Sequence, residues 1–207
     1  MTPKETAPEA AAIPAWLKIW QSHQENLLTL AIALVLALLI RVCVAESRYI
    51  PSTSMAPTLL PGDRLMVEKV SYRFHPPRPG EIVVFYPPPA LQAIGYDPSQ
   101  AFIKRVIATP GQVVEVHQGQ VYVDDRPLSE SYITELPDYE LSPIRVPEQM
   151  LFVMGDNRNN SNDSHIWGFL PQANVIGRAN LRFWPLSTFT MIRNPLTTTL
   201  VSSLPYH

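Results

Sequence analysis

Cysteine is almost missing from this chain. Its 207 residues hold one, Cys43, inside an apolar run. No intrachain disulfide can form, and the compartment is left undecided. A lone thiol in such a run packs as a small hydrophobe. Lysine is nearly as scarce: Lys4, Lys18, Lys69 and Lys104 are the full set, and arginine carries the remaining positive charge. The net charge of −2 gives no electrostatic footprint for a nucleic-acid partner. Five scattered histidines and one cysteine show no metal-ligand spacing. A phosphate-cradling glycine loop is missing, and so is a G-x-S-x-G nucleophile elbow. Neither a metal nor a cofactor is expected. Internal repeats are absent too. Proline is the exception, at 22 residues spread along the chain, which argues against long helices after residue 50.

The length allows one good-sized domain with an anchor, or two small domains. Residues 1–26 form a polar leader, expected as an N-terminal tail. Its first dozen residues are small and polar and read as disordered. Residues 13–26 carry Trp16 and Trp20, which suit either a membrane interface or a plain short helix. Leu27 to Ala45 is apolar except for Arg41, and as a helix it spans the roughly 30 Å hydrocarbon core. This segment is expected as an uncleaved transmembrane anchor. A cleavable signal peptide is the rival, with small residues at Cys43 and Ala45; the long polar leader counts against it. Charges on both sides (Lys4 and Lys18 before, Arg41 and Arg48 after) leave the orientation open.

After residue 50 the pattern turns to short, β-branched runs bounded by proline, glycine or aspartate, such as "RLMVEKVSY", "EIVVFYPP" and "MLFVMGD". "VVEVHQGQVYVDDRPL" alternates and predicts a hairpin turning near Gln118 to Gln120. The fold class is therefore mainly β: an antiparallel, sandwich-like or barrel-like domain over residues 46–207. Residues 129–149 are more polar and read as an excursion from the sheet, a small subdomain or lid.

Three stretches could carry chemistry. "YIPSTSMAPTLLPGDRL" (49–65) places Ser52, Thr53 and Ser54 between Pro51 and Pro57, either as a turn or as the seat of a nucleophile. A Ser-His-Asp arrangement would need His165 with Asp163, and a single loop is a poor device for orienting a base. His165 therefore reads as a polar loop residue. A lysine amine can serve instead if burial lowers its pKa, by up to ~3–5 units when fully buried. Lys104 in "AFIKRVIATPG" has an apolar setting. On a strand it shares a face with Phe102 and Val106, while Arg105 points the other way with Ile103 and Ile107. One of the two basic residues would then be buried and the other solvated, unless both are surface charges. Lys69, beside Glu68, reads as a solvated strand residue. The third stretch, "MGDNRNNSNDSHIWGFLP" (154–171), holds Asp156, Arg158 and Asp163, whose pairing would fix the loop; the alternative is a solvated polar turn.

Together, "IPSTSMAPTLLPGD", "FIKRVIATPGQ" and "MGDNRNNSNDSHIWGFLP", in this order behind an apolar segment, resemble type I signal peptidase (leader peptidase), the Ser-Lys serine endopeptidase that removes secretory leaders. The similarity runs from about residue 40 to residue 185. It implies a β-sheet catalytic core with an inserted subdomain at about 120–150. It also implies Ser54 as nucleophile, Lys104 as general base, and an oxyanion hole made by the Ser54 backbone N–H and the Ser52 hydroxyl. Ser161 would hydrogen-bond Lys104 and orient its amine. Asp156, Arg158 and Asp163 would support the site, and Ile50, Met55 and Ile103 would line shallow pockets for small side chains. The substrates implied are preprotein signal peptides cut after small-x-small sites. The resemblance further implies lipid contact, a monomer, a cytoplasmic N-terminus and a catalytic domain on the far side of a bacterial plasma or thylakoid membrane. Three positions depart from the family pattern. Thr53 stands where glycine is usual, so the backbone there must avoid positive φ. Asn159 replaces an aspartate and His165 an arginine, which weakens or removes charge pairing at both. Two other classes remain open: an anchored β-domain that only binds a partner, and a self-cleaving, repressor-like Ser-Lys protease, against which the apolar segment counts.

Overall fold

The structure, a computed structural model, describes residues 26–38 and 44–195. Residues 26–38 form helix α1, exposed along its length. The rest of the expected anchor, including Arg41 and Cys43, lies outside the described residues, as do Trp16 and Trp20. Ala45, its expected last residue, already begins a strand. Among the described residues no helix is long and apolar enough to cross a membrane. The chain divides into two compact units, Met1–Val42 and Cys43–His207. The second holds the strands.

Its strands are β1 (Ala45–Tyr49), β2 (Arg64–Glu68), β3 (Ile82–Phe85), β4 (Phe102–Ala108), β5 (Val113–His117), β6 (Gln120–Val123), β7 (Arg126–Pro127), β8 (Leu141–Arg145), β9 (Met150–Met154), β10 (Leu170–Pro171), β11 (Val175–Trp184) and β12 (Thr190–Met191). The short helices α2 (Pro89–Ala93) and α3 (Ser164–Trp167) interrupt them. The larger sheet runs β1-β2-β11-β3-β4-β9-β10, with β12 added to β11. A second sheet, β7-β6-β5-β8, is built wholly from the chain between β4 and β9. The strand pairs of both sheets are antiparallel, so the mainly β, antiparallel expectation holds.

The alternation of side chains explains where the core lies. In β2, Leu65 and Val67 are buried while Arg64 is exposed and Met66 and Glu68 are half-buried, as the two-residue period of a strand requires. In β3 all four residues are buried, because the strand lies between β11 and β4 and feeds two cores. Ile82 and Val84 join Ile50, Met55, Leu65 and Ile103 on one side. Val83 and Phe85 join Val106, Leu151 and Val153 on the other. A third cluster runs from Ile107 and Phe152 into Val114, Val116 and Val121 and so ties the second sheet to the first. The β5–β6 hairpin turns at Gln118 and Gly119, with φ of 52° and 74°. Two successive positive φ values match the right-handed twist of the flanking strands.

Candidate active site

The loop from β1 to β2 carries the three hydroxyls. Its base is closed by Ile50 N–H to Asp63 O (2.9 Å) and Gly62 N–H to Ile50 O (2.9 Å). Within it, Ala56 N–H donates to Thr53 O and Leu59 N–H to Met55 O, both at 2.9 Å. Those turns send Met55 and Leu59 into the core and leave Ser54 at its edge, 8% exposed. Thr53 is not among the non-glycine residues with positive φ, which suits its β-branch.

Lys104 comes to this loop from the middle of β4. It pairs with Val83 across the sheet, and Phe102 pairs with Phe85. Directly opposed residues share a face, so the lysine stem lies among apolar groups. Its Nζ is 2.7 Å from Ser54 Oγ, and the residue is 4% exposed. Burial pushes the amine down from 10.5 to about 8, while the charges of Asp163 and Asp156 pull it upward. Ser52 Oγ lies 3.3 Å from Ser54 Oγ. Ile50 and Ile103 line an adjoining cavity of about 360 Å³ together with Tyr49, Val84 and Phe102. Met55 packs in the core cluster that contains Ile50 and Ile103.

Arg105 corrects the expectation that one of the two basic residues would be solvated. It is 2% exposed. Its Nε and a terminal nitrogen donate to the two oxygens of Asp156 at 2.8 and 2.6 Å, and the other terminal nitrogen donates to Gly80 O at 2.8 Å. The guanidinium also lies 4.0 Å from the ring centre of Tyr132. The pairing expected inside the 154–171 loop is likewise redistributed. Asp156 goes to Arg105, and Arg158 forms a buried bidentate pair with Glu130. Asp163, fully buried, accepts from Gly155 N–H at 2.8 Å and lies 2.7 Å from His165 Nδ1. The His165 ring stacks on Tyr139 at 4.1 Å. Asn159 uses both ends of its amide, donating to Leu136 O and accepting from Asp138 N–H, each at 3.0 Å. An aspartate there could make only the second bond.

The hydrogen bond expected from Ser161 to Lys104 is not formed. Ser161 Oγ is buried and has no partner among the described residues, because it packs against Gly155 and the amine faces Ser54 instead. Gly155 is a residue that sequence reasoning missed. A methyl group on its Cα would overlap Ser161 Oγ and the Ser54 carbonyl oxygen. Gly155→Ala is accordingly expected to push Ser54 out of line and to lose about 1–3 kcal/mol of stability through overpacking. Turnover and thermal unfolding of the same preparation measure the two effects. Glu130 was missed as well, for nothing local marks it out within the polar excursion. Lys69 is half-buried and paired with Glu46 at 2.6 Å. Among the described residues no group of histidine, cysteine or carboxylate side chains is arranged to hold a metal ion.

A buried amine lies against a serine hydroxyl on an antiparallel β-scaffold, an arrangement that a serine hydrolase could use. The family model described as "Signal peptidase, peptidase S26" matches residues 23–184. The chain belongs to that family and is a peptidase of the signal peptidase I type. It is 66% identical over 168 residues to "Probable signal peptidase I-1" of Synechocystis sp., covering 81% of this chain and 86% of that protein. It is 49% identical to "Signal peptidase I" of Leptolyngbya laminosa, covering 90% and 92% of the two chains. It is 50% identical to "Probable thylakoidal processing peptidase 2, chloroplastic" of Arabidopsis thaliana, over 75% of this chain and 42% of that one.

Proposed function

We propose that this chain is a membrane-anchored serine endopeptidase that cleaves N-terminal signal peptides after small-x-small sites, with Ser54 as nucleophile and Lys104 as general base. The contact of Lys104 Nζ with Ser54 Oγ at 2.7 Å carries the reading. Ser54 attacks the scissile carbonyl and its proton passes to the neutral amine. The oxyanion is held by the Ser54 N–H and the Ser52 hydroxyl, and each such donor contributes about 10²–10³ in rate. Lys104 then protonates the leaving amine and activates the water that hydrolyses the acyl-enzyme. The cavity beside Ile50 and Ile103 takes a small side chain. Ser161 keeps a buried hydroxyl near the site with no partner among the described residues. Asp156, Arg158 and Asp163 hold the loop behind it.

The anchor is assigned to residues 27–45, on the apolarity and length of the sequence. The name of the thylakoidal relative fits a membrane location; the orientation, with residues 1–26 in the cytoplasm or its equivalent and residues 46–207 on the far side, rests on the sequence resemblance alone. The substrates are preproteins emerging at that surface.

The test is cleavage of a preprotein with a small-x-small site by the full chain in detergent or lipid, with the new N-terminus read by mass. Ser54→Ala is expected to be inactive while folding normally; full cleavage by it removes the assignment. The pH dependence follows from Lys104. Below its pKa the amine is protonated and cannot accept the Ser54 proton, so kcat/KM rises with pH through about 8 and then levels. A profile that is flat from about pH 6 to about pH 9 would exclude the lysine as base.

A further inference from the structure

The peptide unit joining Thr53 to Ser54 is held from one side and open on the other. Its carbonyl, Thr53 O, accepts from Ala56 N–H at 2.9 Å and from Asn157 Nδ2 at 3.3 Å. Among the described residues nothing accepts from its N–H, that of Ser54. The next carbonyl, Ser54 O, accepts from Asn157 N–H at 3.1 Å. The Thr53 hydroxyl accepts from Asn160 Nδ2 at 3.1 Å. Two asparagines of one loop thus donate to the backbone and side chain of two consecutive residues, and Asn160 N–H to Asn157 O at 3.1 Å holds the asparagines in fixed relation.

A peptide group is planar, with its C=O and N–H pointing in opposite directions. Fixing the carbonyl of this unit therefore fixes the direction of the Ser54 N–H. A donor aimed before the reaction begins needs no reorganisation when negative charge develops. Thr53 supplies a side-chain hydroxyl at the residue before Ser54. A glycine would offer Asn160 no hydroxyl and would leave the chain freer at the residue before the nucleophile.

We infer that Asn157 and Asn160, the latter through the Thr53 hydroxyl, are positioning residues that aim the Ser54 N–H at the oxyanion of the transition state. The inference rests on the reading of Ser54 as nucleophile. These contacts are not needed to hold the loop in place. Thr53 and Asn160 are exposed, while the loop is fastened by the buried partners of Asp156, Arg158 and Asp163. Their loss should therefore be felt in turnover and not in folding.

The test uses the full chain and a preprotein substrate, with kcat, KM and melting temperature measured for each variant. Asn157→Ala is expected to lower kcat by roughly 3–10-fold, since Ala56 N–H still holds the Thr53 carbonyl. Thr53→Val and Asn160→Ala should each lower kcat by roughly 3–10-fold, the loss of one exposed hydrogen bond. KM and melting temperature should stay at wild-type values throughout. Thr53→Ser keeps the hydroxyl and should keep kcat. The double variant Thr53→Val/Asn160→Ala should be no worse than either single one, since both remove the same bond. Wild-type kcat in Asn157→Ala and Asn160→Ala overturns the inference. So does a loss confined to KM or melting temperature, a Thr53→Ser variant as slow as Thr53→Val, or additivity in the double variant. Ser54→Ala separates the two levels. If it cleaves normally, the nucleophile assignment fails. If it is inactive while the asparagine variants turn over normally, only the aiming fails.

Discussion

Lys104→Met is expected to abolish cleavage and at the same time to make the protein more stable. Methionine keeps an unbranched apolar chain among Phe102, Val106 and their cross-strand neighbours, and removes only the amine. On the proposed mechanism nothing then takes the Ser54 proton. General-base loss alone costs about 10²–10⁴-fold, and nucleophile–base units lose nearly all activity when one member goes, so a loss of at least about 10³-fold is expected. The stability gain follows from the same burial. The amine is depressed to about 8 in the folded chain from 10.5, which corresponds to about 3 kcal/mol of disfavoured charge wherever the lysine is protonated. The sign can be worked through. Between about 8 and 10.5 the unfolded chain holds the proton and the folded chain does not, so wild-type stability rises with pH across this window. The advantage of Lys104→Met should therefore be full below pH 8 and vanish above about 10.5. Denaturant unfolding of both proteins at the two ends of the window reads it directly. Equal stability at neutral pH would mean that the lysine is not buried as described.

Asp156→Ala is expected to be the most destabilising change in the site. Asp156 is 1% exposed and supplies both carboxylate oxygens to Arg105. Its removal leaves a buried guanidinium with only the Gly80 carbonyl and the Tyr132 ring. Breaking a buried pair by deleting one partner costs about 3–5 kcal/mol. Asp156→Asn keeps one acceptor and should cost less. Replacing both partners by apolar residues, Asp156→Leu with Arg105→Met, should recover much of the loss, because the stranded charge is gone. Urea unfolding of the three variants ranks them. The same substitution has an electrostatic consequence at the amine. Asp156 is one of the two carboxylates that raise the Lys104 pKa, so a variant that still folds should show the rise of kcat/KM at lower pH than the wild type.

How much of this could be read from the chain differs from one residue to the next. The hairpin at Gln118 and Gly119 was legible because turn chemistry is local. The burial of Leu65 and Val67 was legible because strand alternation is local too. The face shared by Phe102, Lys104 and Val106 follows from strand parity. For Arg105, parity tells only that it points away from Lys104, not that the opposite face is also covered. What covers it is Asp156, 51 residues along the chain, and the Tyr132 ring. Arg158 was expected to pair near Asp156 in its own loop and instead pairs with Glu130, 28 residues earlier. The Thr53 hydroxyl has its partner in Asn160, 107 residues away, which no local pattern marks.

By itself, then, the sequence determined the elements and the candidates. Two-residue alternation and turn residues specify antiparallel strands, and the order of three motifs marks Ser54 and Lys104. Only the tertiary structure decided which charges face each other. An ion pair or a shared hydroxyl depends on distances of about 3 Å between segments that the chain separates by tens of residues. Strand register, the bulge in β4 between Val106 and Ala108 and the path of the 154–171 loop set those distances. That is why the amine faces Ser54 and not Ser161, and why both arginines beside the site are paired and buried.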